Sequence, residues 1–438
     1  MIKVCKFGGT SMADGITMLR VKSIIESDPA RRYVVVSAPG KRFGGDIKVT
    51  DLLYETYDNV AVNGETGAAF EKICERFRGI VSELKLDMDI DAILAETGEA
   101  IVKEASPDFC ASRGEYLSGR VMAELLGIPF IDARDVVKFG PDGKLDNKRT
   151  YALLAEALKG KKRALVTGFY GEDANGRVKT FSRGGSDISG AIVARAAGAD
   201  LYENWTDVSG FLACDPRIVE NPVPIRSLSY KELRELSYMG ANVLHSESIF
   251  PVREVDIPIR IKNTFRPEDE GTEILPTSRY TYSGRRVTGI AGKKNFTVIF
   301  LEKSLMNEEI GFTYRTLAVF MKHGISFEHI PTGIDTMSFV IDSAELKGGL
   351  LEEMCDEIRA AVNPDSLRVI NDIALIAVVG HGMTRSVGVS ARLFEAIARA
   401  GVNVRMIDQG SSELNIIVGV DNENYERTLK AVYEEFFD

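Results

Sequence analysis

Met1-Ile2-Lys3-Val4-Cys5-Lys6-Phe7-Gly8-Gly9-Thr10-Ser11 opens the chain, and its reading decides the fold. The apolar residues Ile2 and Val4 predict a strand over Ile2–Lys6, and a helical pattern follows from about Met12 to Glu26. Between strand and helix lie a lysine and two glycines. Glycine lets a backbone approach phosphate oxygens closely, N–H groups at a helix start point at an anion, and lysine adds a mobile positive charge. A plain tight turn uses the same residues, so this stretch alone leaves both readings open.

Outward from it, Tyr33–Ser37 predicts a second strand, running into Ser37-Ala38-Pro39-Gly40-Lys41, and amphipathic stretches then reach Leu126. Further strands are legible at Ile128–Asp132, Ala164–Phe169 and Leu201–Trp205. Such alternation predicts a parallel sheet covered by helices, with ligands outside the carboxyl ends of the strands. Gly171-Glu172-Asp173-Ala174-Asn175-Gly176 predicts a hairpin between Val166–Tyr170 and Val178–Phe181, which would make the sheet mixed.

Phe181-Ser182-Arg183-Gly184-Gly185-Ser186-Asp187 repeats the opening arrangement of strand, Gly-Gly and helix. Arg183 offers a planar fork for a carboxylate, and Asp187 suits an ammonium group or a metal-bound water. Helix capping accounts for Ser186 and Asp187 but not for the arginine. Arg113-Gly114-Glu115, early in a helical stretch, and Trp205-Thr206-Asp207-Val208-Ser209-Gly210, followed by Asp215-Pro216-Arg217, are weaker candidates on their own.

With 438 residues, 45% of them hydrophobic, the chain can bury several cores, and its length suggests about three domains. No run approaches the roughly 18 apolar residues of a membrane span, and Met1 leads straight into a strand, so a soluble cytoplasmic protein is expected, without a membrane partner. A net charge of −10 argues against nucleic acid. Five dispersed cysteines without ligand spacing point to reduced thiols, and no metal-ligand cluster is legible. Neither GxxxxGK[ST] nor GxSxG occurs.

Pro276-Thr277-Ser278 breaks the pattern, and a domain boundary is placed near residue 280. Beyond it, a displacement of 77 residues superposes Gly311 on Gly388, Arg315 on Arg392, Gly324 on Gly401 and Ile330 on Ile407. Leu317–Ile330 and Phe394–Ile407 each read as an amphipathic helix, a glycine stop and an alternating strand. Two copies of a small α+β module follow, each short for an independent core and so expected to pack on its twin or on another subunit. Ile373–Val379 with Gly380-His381-Gly382 imitates a dinucleotide fingerprint, but Arg385 holds the third glycine position.

Taken together, KFGGTS, SAPGK, RGE, SRGGSD, TDVSG with DPR, and GANVLH at Gly240–His245 resemble aspartate kinase, in that family's order and over nearly the whole chain. Ile290–Asp342 and Ile373–Val420 resemble its paired ACT modules, and the likeness is to the monofunctional form, as the chain ends where a homoserine dehydrogenase domain begins in bifunctional relatives. The resemblance implies an α/β fold: a three-layer α/β/α amino-acid-kinase domain with a mainly parallel sheet over 1–280, then two ferredoxin-like α+β ACT modules over 281–365 and 366–438. It implies transfer of the γ-phosphoryl of ATP, with Mg2+ carried by the nucleotide, to the side-chain carboxylate of L-aspartate. By similarity Lys6 and Asp187 act on the transferred group. Thr50, Glu115, Arg183 and Ser37 bind substrate, Arg183 at the α-carboxylate and Glu115 at the amino group. Gly8, Gly9, Gly184, Gly185, Thr206, Asp207, Asp215 and Arg217 hold the nucleotide.

The ACT modules imply an amino acid effector, lysine favoured over threonine, at Met306, Gly311, Phe312, Ser326 and Glu328, and a homodimer or homotetramer formed through them. Glu328 is either an ammonium partner or an exposed strand residue. Three departures stand out: Asn242 where the family usually has a lysine, Leu212 where tyrosine is common, and the extra segment Arg42–Val49, read as a lid. Another acidic acceptor, or an amino-acid-sensing protein with an inactive kinase domain, are the alternatives.

Overall fold

The computed structural model describes residues 1–182, 184–241, 243–244, 246–280 and 284–437. Two compact units form: Met1–Phe211, Arg226–Tyr230 and Asn242–Tyr280 make the first, and Leu212–Ile225, Lys231–Ala241 and Thr281–Asp438 the second.

The first unit is built on strands β1 (Lys3–Phe7), β2 (Arg31–Val36), β3 (Phe130–Ile131), β4 (Ala164–Thr167), β5 (Tyr170–Glu172), β6 (Val178–Thr180) and β7 (Leu201–Thr206). After β8 (Phe211–Leu212) and β9 (Pro224–Ile225), a small pair of their own, come β10 (Ser227–Ser229), β11 (Ile259–Asn263) and β12 (Thr272–Leu275). Eight of these form one sheet in the order β10-β12-β11-β7-β1-β2-β4-β3. The central strands β1, β2, β4 and β7 pair in parallel. Val34, Val35, Val36, Leu165 and Val166 are fully buried, the continuous apolar type of a sheet covered on both faces.

The sheet is mixed, but not through the expected hairpin. β5 and β6 pair antiparallel as a separate ribbon, and the antiparallel neighbour within the main sheet is β12, which pairs with β11. A second correction concerns the first helix. Gly9–Met12 is a 3-10 turn, and α1 (Gly15–Glu26) starts only where Asp14 accepts the Thr17 N–H in a capping box. The covering helices that matter below are α2 (Val49–Asn63), α3 (Gly67–Leu84), α4 (Ile90–Glu104) and α5 (Pro107–Leu126), then α6 (Ala133–Val136), α7 (Asn147–Leu158) and α8 (Gly185–Ala196). α5 begins at an Ser106 cap with Pro107 in its first turn and ends at Gly127, whose φ of 61° suits glycine.

After α9 (Tyr230–Tyr238) and α10 (Phe250–Arg253), the second unit carries β13 (Gly289–Glu302), α11 (Phe312–His323), β14 (Thr336–Asp342) and α12 (Leu350–Val362). The repeat follows as β15 (Ser366–Val379), α13 (Val389–Arg399), β16 (Met406–Asp408), β17 (Asn415–Asp421) and α14 (Tyr425–Phe437). Both copies share one sheet, β14-β13-β15-β17-β16, joined by the long antiparallel pair β13 and β15. Leu301, Phe320, Phe339, Met354 and Ile358 form the first copy's core. The strand expected after each helix appears only in the second copy, as β16. In the first copy only bridges at His329 and Thr332 remain, because Pro331 lacks a donor and Gly333 folds back onto Thr336. Among the described residues no helix is long and apolar enough to cross a membrane. All five cysteines are free and buried.

Candidate active site

The first unit gathers most of the candidate side chains at the carboxyl ends of β1, β2 and β7. In the parallel register Lys6 of β1 stands opposite Asn204 of β7, so both point to the face covered by α8. Lys6 Nζ lies 2.6 Å from Asp187 Oδ1 in the first turn of α8, and only 6% of the lysine is exposed. Asn204 Nδ2 donates to the same carboxylate oxygen at 2.9 Å, and its Oδ1 faces Lys6 Nζ at 3.5 Å. The Tyr202 hydroxyl donates to the Asp187 carbonyl, fixing the helix start on the strand.

Two glycine loops flank this group. Gly8 N–H donates to the Trp205 carbonyl, and Gly9 accepts from Gly40 N–H at 2.8 Å, bringing the first loop against Ser37–Gly40. A Cβ on Gly9 would stand 3.0 Å from the Ala38 carbonyl oxygen, and one on Gly40 2.7 Å from the Gly9 carbonyl carbon, so only glycine fits at the crossing. Gly184 has φ of 58°, the left-handed region, and a Cβ on Gly185 would run into the Phe169 ring.

Glu115 sits on α5, which approaches so closely that a Cβ on Gly114 would lie 2.6 Å from Ala38 Cβ. The Ala38 N–H donates to the Glu115 carboxylate, yet Glu115 Oε2 is buried with no hydrogen-bond partner among the described residues. Burial pushes this carboxyl up to about 8, against the opposing pull of that N–H and of the Arg113 and Lys6 charges. A buried carboxyl with one idle oxygen is a site prepared for a donor. Ser37 is buried, its N–H on the Phe7 carbonyl, and Thr50, partly buried, is the second residue of α2, whose start is tied to the loop by Val49 N–H on the Pro39 carbonyl.

Thr206 closes β7, and its hydroxyl donates to Asp207, which also accepts from the Thr10 hydroxyl at 3.3 Å. Asp215 and Arg217 belong to the second unit, where they pair with each other at 2.6 Å. Arg183, Asn242 and His245 lie outside the described residues, and Leu212 is the last residue of β8.

Three residues here escaped the sequence reading. Asn204 is one. Arg113, read only as part of a motif, packs its guanidinium over Phe109, Tyr116 and Tyr170 and bonds Ser112. Arg76 of α3 is the third: it donates to the Ala13, Gly40 and Ile47 carbonyls and to Asp46 at 3.0 Å, tying the turn after the first glycine loop and the Ser37–Gly40 loop to the 42–49 segment. Arg42 also pairs with Asp46 at 2.8 Å, and the Arg42 hydrogen bond, with its charge and that of Arg76, holds the Asp46 carboxyl well below the usual range despite burial. An arginine inside a helix carries no local signal that it faces three loops.

In the second unit Met306 and Phe312 are buried, Gly311 caps α11 with φ of 84°, and Ser326 is exposed. Glu328 is partly buried and lies in a bend, not a strand; its N–H donates to the Val340 carbonyl and its carboxylate accepts from the Tyr238 hydroxyl.

A buried lysine, an aspartate and two glycine loops at strand carboxyl ends define a phosphate-handling α/β enzyme. The comparisons agree: residues 1–263 match the amino acid kinase family, and 376–436 match an ACT domain. Aspartokinase 3 of Bacillus subtilis (strain 168) is 37% identical over 450 residues, spanning 100% of this chain and 99% of that protein. A crystal structure of aspartate kinase from Clostridium acetobutylicum, 49% identical, superposes with a TM-score of 0.95 over 99% of this chain and 100% of that one. E. coli aspartokinase III, with aspartate and ADP in one crystal structure and lysine and aspartate in another, gives TM-scores of 0.79 and 0.77 at 26% and 27% identity, with each chain covered in full. The chain belongs to the amino acid kinase family, and within it to the aspartokinases.

Proposed function

We propose that this protein transfers the γ-phosphoryl group of MgATP to the β-carboxylate of L-aspartate, giving 4-phospho-L-aspartate and ADP. A β-carboxylate oxygen forms the new bond to phosphorus as the bond to the bridging oxygen of ADP breaks, and no proton transfer is needed. Such a reaction asks for alignment and charge neutralisation rather than covalent help. The observation that carries the reading is the buried Lys6, paired with Asp187, next to Glu115 with its idle Oε2.

Lys6 neutralises the transferring phosphoryl group, and Asp187 holds the lysine in place between turnovers. Gly8, Gly9, Gly184 and Gly185 let backbone come near phosphate oxygens, with Thr206, Asp207, Asp215 and Arg217 assigned to the rest of the nucleotide. Glu115 accepts the aspartate ammonium group, Arg183 takes its α-carboxylate, and Thr50 and Ser37 supply hydroxyls. Mg2+ would arrive with the nucleotide and offset part of its phosphate charge; the acidic groups near Lys6 suit a metal reached through nucleotide and water better than a resident one.

Trapping the acyl phosphate as hydroxamate, with aspartate and glutamate offered separately, tests the proposal. Product from aspartate alone is expected. Product from glutamate instead would indicate another acidic acceptor, and ATP binding without product an amino-acid sensor.

The reaction would open lysine, threonine and methionine biosynthesis, with feedback by lysine, or second by threonine, at Met306, Gly311, Phe312, Ser326 and Glu328. A homodimer or homotetramer through the ACT modules is supported by exposed Ile310, Tyr314, Met321 and Val387. Free cysteines suit the reducing cytoplasm.

A further inference from the structure

Asparagine is depleted in strands, and burying its amide without partners is costly. Asn204 nevertheless sits mid-strand in β7, at the centre of the main sheet, with only 2% of its surface exposed. Its neighbours Tyr202 and Trp205 are large and fully buried, so the position has no packing need for an amide. Both ends of the amide are used within one triangle: Nδ2 on Asp187 Oδ1 at 2.9 Å, Oδ1 towards Lys6 Nζ at 3.5 Å, and the Lys6–Asp187 contact of 2.6 Å closing it.

We infer that Asn204 is a positioning residue for phosphoryl transfer, acting through Lys6 and Asp187. The inference rests on the proposed role of Lys6 and extends it to how the lysine is released. When the ammonium group turns towards the transferring phosphoryl, Asp187 Oδ1 loses its nearest donor. With only 15% of its side chain exposed, Asp187 has little water to replace that donor, and the cost would fall on the transition state. The Asn204 N–H stays on Asp187 throughout, so the aspartate keeps a partner and the lysine is free to move. The amide oxygen meanwhile gives Lys6 a weak second acceptor on the same side, which limits how far it swings.

Steady-state kinetics of Asn204→Leu, Asn204→Asp and Lys6→Ala test this. Leucine keeps the volume and removes both hydrogen bonds; kcat is expected to fall about 10- to 100-fold, the size of one hydrogen bond to a charged group, with KM for ATP and aspartate within about twofold. Aspartate keeps the shape and the acceptor for Lys6 but faces Asp187 with a second carboxylate, and its loss in kcat should be at least as large. If leucine prevents folding, judged by circular dichroism, the isosteric aspartate variant decides. Wild-type kcat in either folded variant, or a loss confined to KM, overturns the inference. If Lys6→Ala itself retains wild-type turnover, the reading of the site has failed instead, whatever Asn204 does.

Discussion

The two Gly-Gly loops of the first unit look alike in sequence and need their glycines for different reasons. Gly8 lies in ordinary extended backbone, with φ of −72°, and Gly9 is required by a crossing loop, since Gly40 passes directly over it. Gly184 is required by its own conformation, in the left-handed region, and Gly185 by the ring of Phe169. The first loop is therefore an assembly of two strand ends, while the second is a helix start. Lys6 from the first and Asp187 from the second then meet at 2.6 Å. One shared motif thus serves as a joint between loops in one case and as a cap in the other.

The largest break in this comparison comes from its centre. Lys6→Ala should lower kcat about 100- to 1000-fold, as removal of a preorganised charge does, while far-ultraviolet circular dichroism stays unchanged. Next, Glu115→Gln should alter the pH response. The folded carboxyl is raised to about 8 from 4.5 by burial, so the native state binds the extra proton and the wild type loses stability as pH rises from about 4.5 to 8. Thermal melts of ligand-free protein across that window should show up to about 5 kcal/mol of pH-dependent loss in the wild type and a flatter curve in the variant. The wild-type KM for aspartate should fall as pH rises through about 8, where Glu115 ionises in the folded protein.

Paired glycine variants sharpen the contrast between the loops. Gly184→Ala should cost about 1 to 2 kcal/mol in urea unfolding, from forcing a side chain into left-handed backbone. Gly9→Ala should instead raise KM for ATP several-fold, because the Ala38 carbonyl and Gly40 have to give way. Equal stability losses with unchanged KM would erase the distinction. Smallest in basal turnover is Glu328→Ala, expected to leave uninhibited kcat within about twofold while relieving inhibition by lysine. Inhibition assays in which the variant keeps wild-type sensitivity would move the effector site elsewhere.

Much of this was legible in the chain because the relevant signals are local. Strand runs ending in Gly-Gly, a capping aspartate and a 77-residue displacement can all be read along the sequence. What stayed hidden depends on partners far away. Asn204 left a trace, a carboxamide inside a buried strand, but its meaning needed Lys6 and Asp187, 198 and 17 residues away, beside it. Arg76 left none. The first repeat lacks its strand because the alternation ends at Pro331, and pairing of β12 with β11 depends on an order of strands that periodicity does not encode.

The second unit also sets the order in which the protein can be made. Its β13 pairs along most of its length with β15, the Val223 N–H donates to the Tyr433 hydroxyl 210 residues later, and Asn415 donates to Glu235 across 180 residues. Contacts this remote close only after the intervening chain exists. On the ribosome, Leu212–Ile225 and Lys231–Ala241 therefore wait for partners synthesised last, and a nascent chain stalled before residue 366 carries β13 with a long unpaired edge. A premature stop before β15 thus yields an aggregation-prone fragment, not a shorter protein lacking one module.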